Sequence, residues 1–258
     1  MRRKPLAGKG IVVTRPAHQA GDLARRIKAA GGNTLLFPTI EIRDIEDPVP
    51  LLGLIDRLDQ FDLAVFVSPN AAEKGMALVT ARRAWPGKLK VVAVGGGGVR
   101  ALERHGVTRV MAPTGRFDSE ALLDLPALSL VFGKRIVVFR GVGGRELLSE
   151  TLRERGALVE YAECYQRVTP ELDAGLLLRA WAGNKLDAIT VTSSEGLRNL
   201  FEMVGAPGRE RLQRTPIFVP HPRIAGAAGR LEIQRVIVTG PGDEGLLTGL
   251  AAYFSAPR

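Results

Sequence analysis

Short, wholly apolar runs recur along the chain, and each is followed by a longer segment with helical spacing. Ile11–Val13 is the first such run. In the segment after it, Leu23, Ile27 and Ala30 fall on one helical face. A run that is apolar on both faces is typical of a parallel strand covered by helices. The alternation predicts an α/β fold built on doubly wound parallel sheets.

The same reasoning applies along the whole chain. The expected strands are Ile11–Val13, 34–37, 63–67, 91–94, 110–112, 136–139, 158–162, 188–191, 217–219 and 236–238. The expected helices lie at 20–30, 51–58, 71–80 and 99–105, or begin near 118, 145, 196, 224 and 243. Extended, partly polar segments at Thr39–Arg43 and Cys164–Val168 are predicted to cross between two lobes.

The chain also matches itself at a constant offset of 125 residues. GKGIVVTRP at Gly8–Pro16 recurs as GKRIVVFRG at Gly133–Gly141, and Ser68 has a counterpart in Ser193. A repeat of that length indicates a duplicated domain rather than a solenoid. It predicts two similar lobes of about five strands each, with a cleft between them where a ligand could bind.

The charge balance favours an anionic partner. The 258 residues include 36 Lys and Arg against 27 Asp and Glu, which gives a net charge of +9 and a pI near 10.2. Such a field attracts phosphates, polycarboxylates or nucleic acid. Nucleic acid is the weaker interpretation, because no basic run extends beyond Arg2–Lys4 and no aromatic stacking platform is present. We therefore expect no nucleic-acid partner.

The cysteines and histidines of the chain indicate which cellular compartment it suits and whether it could hold a metal ion. The single cysteine, Cys164, excludes an intramolecular disulfide and favours a reducing compartment. His18, His105 and His221 are scattered without metal-ligand spacing, so no metal site is expected. The first residues lack the apolar run of a signal peptide, and no run is long enough to span a bilayer. These features predict a soluble, cytoplasmic protein.

Small, hydroxyl-bearing or basic residues stand at the ends of the predicted strands. Ligands of open α/β sheets bind at these ends, where the following helices offer free N–H groups to anions. The candidates for binding an anionic ligand are Arg15, Ser68, Asn70, Arg140, Arg145, Ser193, Ser194, His221 and Arg223. For Ser68 and Ser193, and for Asp118 and Asp243, the alternative role is to cap the helix. The glycine run at Gly95–Gly98 is only a weak phosphate signal, since a P-loop Lys is missing.

Two arginines and one tyrosine are the most specific candidates. Arg15 and Arg140 follow an apolar strand at the same position of each copy, where a guanidinium could bind a carboxylate through two hydrogen bonds. The alternative is a buried pairing with a local acidic residue. Tyr165, on a crossing segment, could donate a proton, or could simply be a packed strand residue. Since no catalytic triad or carboxylate pair is present, an enzyme of this composition would act mainly by positioning its substrate.

Several short motifs together carry a resemblance to a known family. They are VTRP at Val13–Pro16, FVSPNA at Phe66–Ala71, AVG with the helix that follows at Ala93–Leu102, FDSEALL at Phe117–Leu123, RGVGGRELL at Arg140–Leu148, YQR at Tyr165–Arg167, TSSEGL at Thr192–Leu197 and VTGPGDEGLL at Val238–Leu247. Their order and spacing resemble those of the uroporphyrinogen-III synthase family over almost the whole chain.

The resemblance implies a fold and a reaction. It implies two flavodoxin-like lobes joined by a two-stranded β ladder, with residues 1–38 plus 168–258 in one lobe and 39–167 in the other. It also implies a cofactor-free, monomeric enzyme of haem biosynthesis that closes hydroxymethylbilane to uroporphyrinogen III. The ring A hydroxyl is lost, ring D attacks, and a spiro intermediate rearranges so that ring D is inverted. The eight carboxylates of that substrate would account for the positive charge.

The resemblance also suggests residue roles, and the chain departs from it at two turns. Tyr165 would assist departure of the hydroxyl, and Asn70 and Ser193 would contact the substrate. Many members carry threonine where this chain has Gly98–Val99 and Arg223–Ile224, so backbone N–H groups, His221 or Arg223 would have to substitute. The alternative function is a two-lobed protein that binds a small anion or nucleotide without catalysis.

Overall fold

The computed structural model describes residues 4–115 and 118–256; Arg2, Arg3 and Phe117, the first residue of one motif, lie outside these ranges. The strands are β1 (Gly10–Val13), β2 (Asn33–Leu36), β3 (Glu41–Arg43), β4 (Leu63–Phe66), β5 (Lys90–Ala93), β6 (Val110–Met111), β7 (Arg135–Gly141), β8 (Leu158–Val168), β9 (Ala188–Thr190), β10 (Ile217–Val219) and β11 (Val236–Val238). The helices are α1 (Ala17–Ala29), α2 (Val49–Asp56), α3 (Pro69–Arg82), α4 (Gly96–Arg104), α5 (Ser119–Leu123), α6 (Pro126–Ser129), α7 (Leu147–Glu154), α8 (Gly175–Ala182), α9 (Ser194–Met203), α10 (Gly205–Arg214), α11 (Pro222–Gly229) and α12 (Gly242–Ser255).

The chain divides into two compact units. Unit 1 consists of Met1–Glu41 and Val168–Arg258, and unit 2 consists of Ile42–Arg167. The chain therefore passes between the units twice, once within β3 and once at the end of β8.

The sheet of unit 1 has the order β11-β10-β9-β1-β2. Its central strand β1 pairs in parallel with β2 on one side and with β9 on the other. Numbered within the unit, this order is 2-1-3-4-5, which is the flavodoxin-like arrangement. Val12 packs into one apolar cluster, whereas Ile11 and Val13 pack into a second. Both faces of the strand are thus covered, as its uninterrupted apolar sequence predicts.

The sheet of unit 2 has the order β3-β8-β7-β4-β5-β6. Ala64 and Phe66 of β4 point into one apolar cluster, and Leu63 and Val65 into another. Phe66 lies opposite Phe139 in the register of β4 and β7, and their rings stack with centroids 4.4 Å apart. The core of this unit is therefore centred on an aromatic pair despite the low aromatic content of the chain.

Five strands have the same spatial order in the two sheets, and unit 2 has β3 in addition; each sheet draws strands from both copies of the repeat. β1 and β2 correspond to β7 and β8, and β9–β11 correspond to β4–β6. The predicted α/β class with parallel sheets in two lobes is confirmed. The predicted elements were incomplete, because α6, α8 and α10 were not expected. The segments 158–162 and Cys164–Val168, expected to be separate, form the single strand β8.

Candidate functional site

In each sheet the chain connections diverge at one pair of neighbouring strands. This pair is β1 and β9 in unit 1, and β7 and β4 in unit 2. Because the connections leave such a pair toward opposite sides, a crevice remains at the carboxyl ends, where open α/β sheets bind ligands. The candidate site of each unit therefore lies after these strands.

Tyr165 lies near the carboxyl end of β8, in unit 2. The register places it opposite Gly141 of β7, after a shift in the pairing at Arg140. Its side chain is 3% exposed, and its hydroxyl oxygen is 3.1 Å from Ser68 Oγ. Arg167 Nη1 donates to the same hydroxyl at 3.5 Å. Tyr165 is thus packed in the core and hydrogen-bonded through its reactive group.

Ser68 and Ser193 play the same local role in the two units. Ser68 Oγ accepts the backbone N–H of Ala71 at 3.0 Å and caps α3. Ser193 Oγ accepts the N–H of Gly196 at 2.9 Å and caps α9. The capping alternative is therefore confirmed for both serines, and it leaves each hydroxyl hydrogen available for a second partner.

The two acidic residues that were expected to cap helices behave differently. Asp118 accepts the N–H of Ala121 at 2.8 Å and caps α5, as predicted. The prediction for Asp243 was wrong, because α12 begins at Gly242 with Pro241 as its capping residue. The Asp243 carboxylate instead pairs with Arg15, whose side chain is 16% exposed. One candidate cation of unit 1 is thus held by an internal carboxylate.

Arg140 is also engaged within its own unit. Its side chain is 6% exposed and donates to Glu146 at 2.9 Å. Its Nε and Nη2 groups donate to the carbonyl of Gly143, and its guanidinium lies 4.6 Å from the Tyr161 ring centroid. The structure places Arg140 as the support of the loop that follows β7. Pairing with a nearby acidic residue was the alternative that the sequence left open.

Two carboxyl groups that pair with candidate arginines, Glu146 with Arg140 and Glu120 with Arg145, are stabilised in the ionised form. Hydrogen bonds from Tyr161 and then from Arg140 lower the pKa of Glu146. The hydrogen bond from Arg145, at 2.8 Å, lowers the pKa of Glu120. Arg140 and Arg145 are therefore each paired with a carboxylate that stays charged near neutral pH.

The remaining candidates stand at helix starts. His221 Nδ1 accepts the N–H of Arg223 at 3.0 Å and caps α11, and the Arg223 side chain is exposed. Asn70 lies in the first turn of α3 and is half-buried. Ser194 begins α9, and its Oγ is buried without a hydrogen-bond partner among the described residues. This unsatisfied hydroxyl is one of the groups that a ligand could complete.

Two residues that contact Tyr165, Gly141 and Arg167, were not among the site residues predicted from the sequence. Gly141 leaves room for the phenol, since a Cβ there would lie 2.7 Å from two ring carbons of Tyr165. Arg167 contacts both the hydroxyl and, at 5.8 Å from the centroid, the ring. The only signal in the sequence was their presence in the motifs RGVGGRELL and YQR.

Cys164, adjacent to Tyr165, is a buried thiol. Burial raises its pKa to about 12. It therefore stays protonated near neutral pH, and a protonated thiol is a poor nucleophile.

Within residues 4–115 and 118–256, no group of three His, Cys, Asp or Glu side chains could hold a metal ion. None of the described helices is long and apolar enough to cross a membrane.

Comparisons with known proteins agree over nearly the whole chain. The family model described as Uroporphyrinogen-III synthase HemD matches residues 21–248. The uroporphyrinogen-III synthase of Salmonella typhimurium is 34% identical over 239 residues, which cover 92% of this chain and 97% of that protein. The Escherichia coli enzyme of the same name is 31% identical, with the same coverage.

Solved structures agree at the level of the fold. A mutant uroporphyrinogen III synthase from Thermus thermophilus matches with a TM-score of 0.64 at 18% identity, covering 95% of this chain and 99% of that one. Uroporphyrinogen-III synthetase from Helicobacter pylori matches with a TM-score of 0.55 at 15% identity, again over 95% of this chain and 99% of that one. The arrangement of elements is thus shared with both structures.

Proposed function

The chain belongs to the uroporphyrinogen-III synthase family, and from this premise we propose that it closes hydroxymethylbilane to uroporphyrinogen III in tetrapyrrole biosynthesis. The observation that carries the proposal is the match of residues 21–248 to the family model, supported by relatives that align over 92% of the chain. The reaction is that of a lyase, because it removes water from the substrate.

The chemistry requires one proton transfer at the start and one at the end. The hydroxyl of ring A departs as water after it is protonated, and an electrophilic carbon remains. Ring D attacks through its substituted position, and the spiro intermediate rearranges and closes with ring D inverted. The carbon that joins the macrocycle then loses a proton, so that one molecule of water is released overall. No electrons are gained or lost in these steps, so we propose that no cofactor is needed.

We assign the first proton transfer to Tyr165. Its hydroxyl lies beside Ser68, which follows β4, and the positions of its ring and oxygen are fixed by contacts with Ser68 and Arg167. A neutral phenol can protonate a departing hydroxyl and then recover its proton from the closing ring. Tyr165 would therefore act as a general acid and then as a general base.

Substrate carboxylates would be bound by the charges and helix starts at the strand ends. In unit 1 these are Arg15, Ser193, Ser194, His221 and Arg223, and in unit 2 they are Asn70 and Arg145, whereas the Ser68 hydroxyl contacts Tyr165. Free N–H groups of helix first turns and guanidinium groups both favour carboxylates. We assign Arg140 to holding the loop after β7, since its donors are already satisfied there.

The net charge and the cysteine content support a proposal for the oligomeric state and the cellular compartment. A net charge of +9 disfavours self-association, which supports a monomer. A single buried cysteine supports a reducing compartment, and we propose the cytoplasm. The domains proposed from the sequence are residues 1–38 plus 168–258, and residues 39–167. The partner is a small polycarboxylate, with neither nucleic acid nor membrane involved.

The isomer of the product tests the function. Hydroxymethylbilane closes without a catalyst to the type I isomer, in which ring D is not inverted. We expect the protein, incubated with freshly prepared hydroxymethylbilane, to yield the type III isomer faster than the spontaneous reaction. Formation of type I alone, at the spontaneous rate, would contradict the proposal and favour the two-lobed anion-binding protein.

A further inference from the structure

The Ser68 hydroxyl is held in place by helix α3. Its oxygen accepts the N–H of Ala71 at 3.0 Å, and the residue has the extended backbone of an N-cap. The helix therefore fixes where the oxygen lies, and the capping bond uses one of its lone pairs. The hydroxyl hydrogen remains to be donated, and the oxygen of Tyr165 lies 3.1 Å away.

The phenol of Tyr165 is fixed from the other sides as well. Its ring is almost fully buried and rests against Gly141. Arg167 lies 3.5 Å from the phenol oxygen, and a guanidinium can only donate to it. A phenol has one proton and two lone pairs. If Arg167 and Ser68 both donate to the oxygen, its proton must point in the one remaining direction.

We propose that Ser68 is a positioning residue that donates its hydroxyl hydrogen to Tyr165 and thereby directs the phenol proton to the departing hydroxyl of the bilane. The inference rests on the function proposed above. A chain of donors then runs from Ala71 N–H to Ser68, to Tyr165 and to the substrate. Each hydrogen bond polarises the next one, and the chain begins at the positive end of the α3 dipole.

The step balances without any further reactant. The proton passes from the Tyr165 oxygen to the ring A hydroxyl, and the carbon–oxygen bond breaks with both electrons leaving on the water. A tyrosinate remains, stabilised by the donors of Ser68 and Arg167. It recovers a proton from the ring carbon that joins the macrocycle.

Unit 1 contains the equivalent serine cap, Ser193, but no tyrosine at the position equivalent to Tyr165. Ser193 caps α9 with the same geometry, but the residue 125 positions before Tyr165 is Ile40. A Cβ added at Gly196 would lie 2.9 Å from Thr39 Oγ1, 3.0 Å from Ser193 Oγ and 3.7 Å from Ile40 Cδ1, so these groups are neighbours in unit 1. The serine cap is thus common to both units, whereas its pairing with a phenol is particular to unit 2.

A double-mutant cycle tests the proposal in the full-length protein. The variants are Ser68→Ala, Tyr165→Phe and the double variant, with Ser68→Thr as the conservative replacement. The measurements are kcat and KM for type III product from fresh hydroxymethylbilane, corrected for spontaneous closure. We expect Tyr165→Phe to lower kcat on the order of 10²-fold. We expect Ser68→Ala to lower kcat about tenfold with KM changed less than about threefold.

The kcat of the double variant decides whether Ser68 acts through Tyr165. If Ser68 acts through the phenol hydroxyl, its removal has no further effect once that hydroxyl is gone, so the double variant should match Tyr165→Phe. Ser68→Thr, which keeps a hydroxyl at the cap, should retain most of kcat. Multiplicative losses in the double variant, or an unchanged kcat in Ser68→Ala, would overturn the proposal.

Loss of the cap alone needs a control, because Ser68→Ala also removes a helix N-cap. Asp118→Ala removes a cap of the same kind from α5 in the same unit. We expect both variants to lower Tm by a few degrees, but only Ser68→Ala to lower kcat. An equal loss of kcat in Asp118→Ala would overturn the proposal. Wild-type protein that yields only type I product would overturn both this inference and the function, whereas type III product with multiplicative losses overturns the inference alone.

Discussion

Position 141 shows how one residue sets the geometry of the candidate site. A Cβ at Gly141 would lie 2.7 Å from two carbons of the Tyr165 ring and 2.9 Å from Arg167 Nη1. The ring belongs to the buried core, so it cannot swing aside without opening a cavity. Only glycine fits at position 141, because the Tyr165 ring of the neighbouring strand β8 fills the space that any Cβ would need.

We expect Gly141→Ala to destabilise the protein by about 1–3 kcal/mol, as overpacking does, and to lower kcat by displacing the phenol. The matched control is Gly53→Ala in α2, where an added Cβ would meet nothing within 4 Å. There we expect a gain of about 0.5–1 kcal/mol, since alanine is the better helix former. Thermal melts and steady-state kinetics of both variants check this. A Gly141→Ala protein with wild-type Tm and kcat would contradict it.

The roles of single residues were predictable where they depend on near neighbours. The N-caps at Ser68 and Asp118 follow from residue type and position at a helix start. Asp243 looked the same in sequence, but its partner Arg15 lies 228 residues away along the chain. No local pattern supplies such a partner. For the same reason the contact between Tyr165 and Ser68 could be seen only in the structure.

Residue type alone did not decide which helices were predicted, because α8 has ordinary helix formers and was still not expected. Helix α10 was missed because it contains Gly205, Pro207 and Gly208, which disfavour helices on propensity alone. In the structure, a Cβ at Gly208 would lie 2.6 Å from Val204 and 3.4 Å from Leu178. Packing against Leu178 of α8, and against Val204 at the N-cap of α10 itself, thus outweighs local propensity.

Strand β8 is linked to two other elements through Glu160. Its carboxylate accepts Arg57 Nη1 at 2.9 Å and Arg135 Nη2 at 3.3 Å. The hydrogen bond from Arg57 is the main cause of a lowered pKa, burial opposes it, and Arg135 adds to it. A carboxyl group with a lowered folded-state pKa stabilises the fold above its ordinary value of 4.5. That contribution is lost as the pH falls below 4.5 and through the folded-state pKa.

We therefore expect Glu160→Gln to lower the free energy of unfolding at pH 7 by on the order of 1 kcal/mol, because the pair is partly exposed and screened. The difference from wild type should shrink as the pH falls below 4.5. Urea unfolding between pH 3 and pH 7 measures both. The exposed Glu150 of α7 is the control, and Glu150→Gln should follow the wild-type curve. A difference for Glu160→Gln that persisted undiminished at pH 3 would show that the charge is not the cause.

The repeat in the sequence and the units of the structure divide the molecule differently. The repeat separates the chain near residue 125, but β1 pairs with β9 rather than with β4. The strands β4 and β9 are equivalent in the repeat, and both are buried and apolar except for Thr190 of β9. Hydrophobic pattern alone therefore does not decide which of them β1 joins. The repeat therefore predicted two similar units, whereas the exchange of strands between copies was implied only by the family resemblance.

Two fragments of nearly equal length distinguish these divisions. Residues 42–167 contain both apolar clusters of unit 2 in full, together with the β5-β4-β7-β8 pairings. Residues 1–125 are one copy of the repeat, but their strands belong to two different sheets, and β4 lacks its partner β7. We expect the 42–167 fragment to fold cooperatively and the 1–125 fragment to be unfolded or aggregated, because unpaired apolar strands remain exposed.

Circular dichroism and urea unfolding of the purified fragments provide the measurement. Since the fragments match in length and share residues 42–125, size and most of the composition are controlled. What differs is whether β7 and β8 are present to complete the sheet around β4. A cooperative transition in the 1–125 fragment would mean that β1 and β2 can replace β7 and β8 beside β4. The repeat, rather than the observed strand exchange, would then define the folding unit.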